Sequence, residues 1–492
     1  MTMQVTVNRR DTPFRPDSSR VIARFLYTDD KRSRSLIQAV LQLSESEASF
    51  ALSRTLRDYS MRHRNISKIF ENHYSRVVHL FSELGIDPVS ISDSRKILIG
   101  SYFTMEYSIE SAAFFNPSIV EHPDQTETGA DELRVIISFR ATGEGHISSI
   151  VFRTGVLDCD NNLILEPVGS MLEEAEHIRR HVYNKESFSH KLDEMQDAKN
   201  IIPSGLILDR LKDEFTYGEL RNCIEEARKA HHLVSHKELL FNQIIWLASS
   251  HYELQFSLDT NISERVIFPV SANEKNGIED ARFVKFTEDD GKHTYFATYT
   301  AYDGTTILPK MLETTDFYHF KILPLHGEIA RNKGMAMFPR KVNGKYAMLC
   351  RLDGFNNYIS FSENITVWRE ATMLQEPEYS WELIQIGNCG SPIETEEGWL
   401  VITHGVGPMR EYVLGASLLD LQNPAKLIGR LKSPLLVPNE KEREGYVPNV
   451  VYSCGSLLHN GELIIPYAMS DYASTYATVN LRELLNELKK TS

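Results

Sequence analysis

Two carboxylates and a guanidinium stand together before an apolar run in the segment GIEDARFVKF, residues 277–286. Gly277 permits a sharp turn before them, and the sequence FVKF after them predicts a buried strand. Carboxylates held beside a cation can transfer protons or bind a polar ligand. A surface turn with a local ion pair would use the same three residues, Glu279, Asp280 and Arg282. The segment on its own leaves both interpretations open.

A second set of polar residues lies at the ends of five similar apolar strands. Each strand follows a turn, and another apolar strand precedes it. The five strands are ELRVIISFRATG (132–143), KHTYFATYTAYDG (292–304), GKYAMLCRLDG (344–354), EGWLVITHGVG (397–407) and NGELIIPYAMSD (460–471). Alignment of their ends gives equivalent positions to Arg140, Thr300, Arg351, His404 and Ala468. Repeated elements around one axis would bring these positions into a ring.

Two arginines and a histidine in that ring form a cationic patch. A buried arginine requires a partner or a ligand, and Arg140 and Arg351 would find one either in nearby aspartates or in a bound anion. Guanidinium groups bind phosphate through two parallel hydrogen bonds. Arg331 and Asn332, in the segment ARNKG, come just before another strand. Together with His404, these residues favour an oxyanion site.

Aromatic and acidic residues cluster around the same strand ends. The aromatic residues are Tyr299, Tyr302, Tyr412, Tyr452 and Tyr467, and the acidic residues are Asp303, Asp353 and Asp471. Aromatic rings beside carboxylates are typical of sugar sites, because one face of a pyranose ring is relatively apolar. The combination predicts a polar, carbohydrate-like ligand at the mouth of a channel.

Composition excludes several classes of partner. The 492-residue chain carries a formal net charge of −14, whereas nucleic acids and anionic membranes attract basic surfaces. No apolar run approaches the roughly 18–20 residues of a membrane span, and the first residues lack a signal-peptide core. We therefore expect a cytoplasmic protein without nucleic-acid or membrane partners. A homo-oligomer is compatible with the sequence.

The sequence indicates neither a metal nor an organic cofactor. HExxH and EF-hand spacings are absent, as are the P-loop and the GxSxG elbow of serine hydrolases. Five widely spaced cysteines form no CxxC zinc pattern. Reduced, mostly buried thiols are the interpretation that fits a cytoplasmic protein.

The strand repeats predict the fold. They recur after 53 residues from Lys292 to Lys345 and after 54 from Lys345 to Trp399. Repeats of about 40–50 residues or more, each with about four strands, are typical of a β-propeller. We predict a mainly β chain that forms a five-bladed β-propeller. A β-sandwich with coincidental hairpins is the alternative.

Two helical blocks accompany the β-region. Residues 30–95 and about 168–250 space their apolar residues three and four apart. The predicted parts are an N-terminal helical extension (1–98), a first blade (99–167), a helical insertion (168–252), and the remaining blades with a C-terminal helix (253–492). The insertion thus lies within or after the first blade.

The segment GIEDARFVKF resembles the Gly-x-Glu-Asp-Pro-Arg motif of glycoside hydrolase family 130, the β-mannoside phosphorylases. Further similar segments follow in order: NPSIV with SFRATG, YTAYDG with LETTDFYHF, ARNKGMAMFPRKVNGKYAMLCR, IGNCGSPIETEEGWLVITHGV, and VPNVVYSCGSLLHNGELIIPYAMSD. The resemblance covers roughly residues 112–160 and 255–485. Members have five-bladed propellers, so the resemblance implies the fold that the repeats predict.

The resemblance also implies an intracellular, inverting phosphorolysis. Asp280 would be the general acid and would protonate the glycosidic oxygen through a mannose hydroxyl, while phosphate attacks the anomeric carbon and gives α-mannose 1-phosphate. Inorganic phosphate is then a co-substrate, and no cofactor is required. The implied phosphate-binding residues are Arg331, Asn332, Arg351, His404 and Gln385. The predicted substrate-binding residues are Arg140, Glu279, Arg282, Tyr302, Asp303, Tyr412, Tyr452 and Asp471.

Two positions depart from the family pattern. Ala281 replaces the usual proline, which removes no functional group. Gln385 stands where the phosphorylases of the family commonly carry a lysine, so one positive charge for phosphate is missing. A β-mannosidase that uses water, with Asp303, Asp353 or Asp471 as its base, is therefore the alternative function. A non-catalytic sugar-binding propeller is a third possibility, against which the retained Asp280 argues.

Overall fold

The computed structural model describes residues 5–169, 171–178, 182–195, 205–230, 235–304 and 307–490. Within these ranges, strands dominate the chain after residue 113, and most of them pair in antiparallel order. Helices occupy most of residues 30–102 and of residues 185–250. The prediction of a mainly β chain is confirmed.

The first hundred residues are mostly helical. Their elements are β1 (Val7–Arg9), β2 (Val21–Phe25), α1 (Asp30–Gln42), α2 (Glu45–Tyr59), α3 (Ile66–Ser75), α4 (His79–Glu83), α5 (Asp93–Tyr102) and β3 (Thr104–Ser108). A capping box begins α2: the Ser44 hydroxyl accepts from the Glu47 N–H, and the Glu47 carboxylate accepts from the Ser44 N–H. The helices pack around the buried Ile37, Leu80 and Phe81, so this block has an apolar core.

A first antiparallel set of strands follows. It consists of β4 (Ala113–Glu121), β5 (Leu133–Thr142), β6 (Ser148–Leu157) and β7 (Leu163–Leu165), paired in chain order. All of β4 except Glu121 is buried, because both its faces are covered by other strands. This explains why apolar residues stand at adjacent positions of the strand rather than alternating with polar ones, although Asn116 and Ser118 interrupt the run.

Short strands and helices make up the next segment. They are β8 (Glu173–Glu174), β9 (Glu176–Ile178), β10 (Val182–Asn184), α6 (Lys185–Met195), α7 (Gly205–Leu208), β11 (Glu214–Thr216), α8 (Tyr217–Ala230), α9 (Ser235–Ser250) and β12 (Tyr252–Gln255). The sequence predicts helix throughout 170–199, but three short strands lie between residues 173 and 184. Pairing of β9 with β12, in which Ile178 lies opposite Glu253, overrides the helical pattern. Parts of the predicted helices, residues 196–204 and 231–234, lie outside the described residues.

A second antiparallel set carries the acidic segment. After β13 (Arg265–Ile267), it consists of β14 (Gly277–Thr287), β15 (His293–Tyr302), β16 (Ile307–Thr314) and β17 (His319–Pro324). It meets the first set where Gly277 pairs in parallel with Ser148 of β6. Gly277 has a φ of 134°, and a Cβ there would lie 2.9 Å from the backbone nitrogen of Ser148. Only glycine permits this approach.

Two further sets follow along the chain. The first is β18 (Ala336–Met337), β19 (Tyr346–Cys350), β20 (Asn357–Ser362) and β21 (Ala371–Gln375), paired in chain order. The next is β22 (Gln385–Asn388), β23 (Ile393–Thr395), β24 (Gly398–Val406), β25 (Tyr412–Leu419) and β26 (Leu427–Arg430), in which β22 and β23 both pair with β24. The buried Trp368 and Trp399 lie in the apolar cores around these strands.

The last set uses both ends of the chain. Its C-terminal elements are β27 (Val451–Tyr452), β28 (Leu457–His459), β29 (Glu462–Met469), β30 (Ala473–Asn480) and α10 (Leu481–Lys489). The N-terminal strand β1 pairs with β30, with Val7 opposite Val479. Arg9 of β1 donates at 3.0 Å to the buried Glu442, which also accepts from Tyr467 Oη at 2.7 Å. The beginning and the end of the described chain are therefore joined in one sheet.

Three further observations concern sheet closure, membrane-spanning helices and cysteines within the described ranges. No sheet within them closes on itself. No helix there combines the length and the apolar character needed to cross a membrane. All five cysteines lie in these ranges as free thiols, with Cys159 exposed and the other four buried.

Candidate active site

Two β-bulges bring Asp280 and Asn116 together. The pairing of β14 with β15 is interrupted around Asp280, and that of β4 with β5 around Asn116. Asp280 and Asn116 have φ angles of 57° and 51°, in the left-handed region that Asp and Asn tolerate better than most residues. Asn116 Nδ2 donates to Asp280 Oδ1 at 2.6 Å. The bulges thus direct both side chains towards each other.

Positive charge surrounds Asp280. Arg140 Nη1 lies 3.5 Å from Asp280 Oδ1, while Arg140 Nη2 donates to Glu279 Oε1 at 2.7 Å. Lys333 Nζ donates to Glu279 Oε2 at 2.6 Å. Burial would raise the pKa of Asp280, but the charges of Arg140 and Lys333 and the hydrogen bond from Asn116 outweigh burial and hold the pKa below its usual value. Asp280 is therefore ionised at neutral pH.

A cavity of about 180 Å³ opens beside Asp280. The residues that line it are Asn116, Arg140, Asp280, Lys333, Arg351, Gln385, His404, Arg410, Tyr412, Val447, Val450, Tyr452 and Asp471. Four of these side chains are cationic and two are carboxylates. The lining is thus net positive within a chain of net charge −14. Such a charge distribution favours a small anionic ligand.

Gln385 connects Arg351 with His404. The amide orientation that satisfies both its atoms directs the oxygen to Arg351 Nη1 and to His404 Nε2, and the nitrogen to the carbonyl of Gly354. Burial and the charges of Arg351 and Arg282 hold the pKa of His404 well below its usual range, so the imidazole is neutral. Arg351 Nε is buried and makes no hydrogen bond within the described part of the chain. Arg351 Nε is therefore an unpaired donor among the described residues.

Arg282 lies behind the cavity and joins three strand sets. Its Nη1 donates to the Asn388 carbonyl at 3.0 Å and also to the Asn388 side-chain oxygen. Its Nη2 donates to Tyr452 Oη at 2.7 Å, and Asn388 Nδ2 donates to the Gly334 carbonyl at 2.7 Å. Arg282 thereby fixes Tyr452, which does line the cavity.

Two of the aspartates at strand ends have different surroundings. Asp471 lines the cavity, and burial raises its pKa to about 6, with the charge of Arg140 opposing and that of Asp280 adding to the rise. Asp353 accepts from two backbone N–H groups of its own turn at 2.9 Å and from Tyr358 Oη at 2.8 Å. Asp353 therefore stabilises an exposed turn, whereas Asp471 is directed at the ligand space.

Comparison with known proteins bears directly on this site. The sequence model of glycoside hydrolase family 130, described as beta-1,4-mannooligosaccharide phosphorylase, matches residues 236–490, which is more than half of the chain. The chain belongs to glycoside hydrolase family 130. The match contains every lining residue of the cavity except Asn116 and Arg140. The cavity is thus formed jointly by the part of the chain that matches the family model and by the first strand set.

The chain is also similar to proteins that are named as mannoside phosphorylases. A 1,2-beta-oligomannan phosphorylase of Thermoanaerobacter sp. (strain X514) is 34% identical over 227 residues, which are 44% of this chain and 74% of the relative. A beta-1,2-mannobiose phosphorylase of Listeria innocua is 29% identical over 256 residues, 50% of this chain and 68% of the relative. The structure of the Listeria innocua beta-1,2-mannobiose phosphorylase with beta-1,2-mannobiose aligns with a TM-score of 0.46 at 22% identity, covering 77% of this chain and 92% of that one.

The cavity gathers most of the site residues that the family 130 resemblance implies. The predicted residues in its lining are Arg140, Asp280, Arg351, Gln385, His404, Tyr412, Tyr452 and Asp471. Glu279 and Arg282 lie directly behind them and bind lining residues. Asn332 lies near Gly354, whose carbonyl accepts from the lining residue Gln385. A Cβ on Gly354 would be 3.4 Å from Asn332 Nδ2. The catalytic and binding roles of these residues stay predictions.

Besides Glu279, Arg282 and Asn332, three more predicted residues are not part of the lining. Arg331 is exposed. Tyr302 Oη donates to the carbonyl of Gly304 at 2.9 Å, and Asp303 lies in the same turn after β15. Within the described ranges no cluster of three or more His, Cys, Asp or Glu side chains could hold a metal ion.

The cavity also contains polar residues that sequence reasoning missed. Asn116, Lys333 and Arg410 all line it. Lys333 directly follows the predicted pair Arg331 and Asn332, so its position was a usable signal. Asn116 and Arg410 occur in ordinary segments, NPSIV and GVGPMRE, and only the folded chain brings them to Asp280.

Proposed function

We propose that the protein is an inverting β-mannoside phosphorylase, which cleaves a β-mannoside with inorganic phosphate to α-mannose 1-phosphate and a shortened sugar. The observation that carries the proposal is a single cavity that combines Asp280 with four cationic side chains. Cations bind and orient an anionic nucleophile, and a carboxyl group supplies the proton for the leaving oxygen. The names of the relatives support the same class of reaction.

The proposed architecture is a five-bladed β-propeller with helical additions at its N-terminus and after the first blade. Antiparallel sets follow one another as β4–β7, β14–β17, β18–β21, β22–β26 and β27–β30. Strand ends of several sets meet at one cavity, as blades around a common axis would do. The pairing of β1 with β30 supports this proposal, because it joins the chain ends in the last blade.

Phosphate is proposed to bind at Arg351, Lys333 and Arg410. The buried Arg351 Nε has no protein acceptor among the described residues and can donate to an oxyanion. Lys333 and Arg410 supply positive charge in the same cavity, which compensates for the neutral Gln385. Asn332 would add a neutral donor beside them. Phosphate is already an anion, so the reaction needs no carboxylate base to activate it.

Asp280 is proposed to act as the general acid. Arg140 and Lys333 keep it ionised before the reaction, so it must gain a proton to donate one. A phosphate dianion beside the same cations weakens their hold on the carboxylate and raises its pKa. Binding of the nucleophile therefore favours the protonated form of Asp280. The donor Asn116 keeps the carboxyl group in place during this change.

The sugar is proposed to lie between Asp280, Tyr412 and Asp471. Arg140 is held by Ser148 Oγ at 2.9 Å and by Glu279, so it presents a fixed cation to the sugar hydroxyls. Asn116 Oδ1 is buried and accepts no hydrogen bond from any described residue, which makes it available to a hydroxyl. Rigid polar groups of this kind orient a substrate for attack.

Hydrolysis is the second candidate, because Asp471 lines the cavity with a pKa raised by burial to about 6. A carboxylate with that pKa is suited to activate water near neutral pH. In an inverting hydrolase such a base lies opposite the acid across the scissile bond.

One assay separates the two candidates. The protein is incubated with β-1,2- and β-1,4-mannobiose, with and without inorganic phosphate, and mannose 1-phosphate and mannose are measured. We expect turnover that requires phosphate and gives mannose 1-phosphate. Release of mannose at a rate independent of phosphate would contradict phosphorolysis and favour hydrolysis.

A further inference from the structure

An exposed tyrosine lies beside the mouth of the cavity. Tyr446 is 61% exposed, although its neighbour Val447 lines the cavity. The Val447 N–H donates to the Ser470 carbonyl at 3.0 Å, next to the cavity residue Asp471. The tyrosine ring therefore extends from the cavity wall towards solvent.

Tyr446 is held against a histidine from another strand set. Its ring centroid is 5.6 Å from that of His146, with 33° between the planes, and Tyr446 Oη lies 3.5 Å from His146 Nδ1. His146 belongs to the turn after β5, the strand that carries Arg140. Its φ of 59° lies in the left-handed region, which histidine adopts more readily than most residues.

The loop that carries Tyr446 is anchored on both sides of the cavity. Arg443 Nη2 donates to Glu411 Oε1 at 3.0 Å, which fixes the loop to the turn that contains the cavity residue Arg410. Ser470 Oγ donates to the Glu442 carbonyl at 2.7 Å. Because these bonds fix the loop, the ring of Tyr446 loses little conformational entropy when it binds a ligand.

The size of the cavity shows why this ring matters. About 180 Å³ is less than the roughly 300–1,000 Å³ of sites for drug-sized ligands. One sugar ring beside phosphate fills such a space, and the rest of an oligosaccharide must pass through the mouth. We propose that Tyr446, braced by His146, forms a further subsite that binds a pyranose ring of a β-mannooligosaccharide outside the cavity. This proposal rests on the proposed function, because it assumes a mannoside in the cavity.

The test compares a trisaccharide with a disaccharide. We measure kcat/KM for β-mannotriose and β-mannobiose of the same linkage, for the wild type, Tyr446→Ala and Tyr446→Phe. Stacking on an aromatic ring contributes about a five- to tenfold factor. The ratio of trisaccharide to disaccharide kcat/KM should therefore fall about five- to tenfold in Tyr446→Ala and stay near that of the wild type in Tyr446→Phe.

Tyr102→Ala is the matched control. Tyr102 is 47% exposed at the end of α5 and is not among the lining residues of the cavity, so the same side chain is removed elsewhere on the surface, and the ratio should not change. An equal ratio in the wild type and Tyr446→Ala would overturn the proposal. So would a loss in Tyr446→Ala that is the same for both substrates.

Binding measured without turnover keeps the two proposals apart. Calorimetry with mannotriose and mannobiose should show tighter binding of the trisaccharide to the wild type, and this preference should be lost in Tyr446→Ala. If no mannoside turns over but the preference is present, the reaction is wrong and the subsite is supported. If turnover occurs and neither kinetics nor binding distinguishes the two sugars, the subsite is refuted and the reaction is retained.

Discussion

Replacement of Lys310 by methionine should destabilise the protein far more than the same change at Lys321. Lys310 Nζ lies 2.9 Å from Glu274 Oε1, and both side chains are fully buried. Removing one partner of such a pair costs about 3–5 kcal/mol, because the other charge stays buried. Tyr252 and Tyr299 still donate to Glu274, at 2.8 and 2.7 Å. These bonds place the expected loss near 3 kcal/mol.

Lys321→Met is a closely matched control. Lys321 Nζ also lies 2.9 Å from its partner, Glu313 Oε1, but the two side chains are 44% and 27% exposed. Exposed pairs contribute only about 0.2–1 kcal/mol. Because the nitrogen–oxygen distances are equal, the difference between the two variants isolates the effect of burial. The measurement is the free energy of unfolding from urea titration.

The pH dependence gives the same prediction a second test. Burial would raise the pKa of Glu274, but Lys310 and the hydrogen bonds from Ser271 and Tyr299 lower it to about 2. A carboxylate with a depressed pKa stabilises the protein above its ordinary value of 4.5 and loses this contribution as the pH falls towards 2. The difference in the free energy of unfolding between the wild type and Lys310→Met should therefore be largest at neutral pH and smaller at about pH 3. Equal losses at the two lysines, or a gap that does not change with pH, would refute the reasoning.

Three further predictions concern the cavity. Asp280→Asn should lower kcat about 10²–10⁴-fold while calorimetry still detects mannobiose binding; a loss below about tenfold would exclude Asp280 as the acid. Arg351→Ala should raise the KM for phosphate about tenfold or more and change the KM for the mannoside little, whereas equal effects would argue against a phosphate contact. Asp471→Asn should remove the ionisation near pH 6 from the pH–rate profile, and its persistence would assign that ionisation to another group.

Much of the site could be predicted from the sequence because strand ends carry a positional signal. Arg140, Arg351 and His404 occupy equivalent ends of repeated strands, and the structure brings all three to one cavity. The period and the strand pattern were sufficient for these three residues, whereas the equivalent Thr300 and Ala468 are not part of the lining. Asp280 could be predicted for a different reason. The segment GIEDARFVKF resembles a family motif, and a motif of this kind is recognised from neighbouring residues alone.

The remaining features depend on contacts that no local pattern encodes. Asn116 and Asp280 meet at two bulges, one in β4 and one in β14, which are distant in the chain. The segment between residues 173 and 184 has a helical pattern, yet its described residues form strands, because β13, β12 and β11 offer edges to β8, β9 and β10. The role of Arg282 in substrate binding stays a prediction, and its hydrogen-bond partners Asn388 and Tyr452 are more than a hundred residues away in the chain.

The fate of phosphate tests the central claim most directly. Mannobiose is cleaved in phosphate buffer, and phosphorus NMR follows inorganic phosphate and the sugar phosphate that forms. The proposed mechanism predicts that one phosphate disappears for each bond cleaved and that the product is the α-anomer of mannose 1-phosphate. Cleavage that leaves the phosphate signal unchanged, or a β-anomeric phosphate, would contradict inverting phosphorolysis.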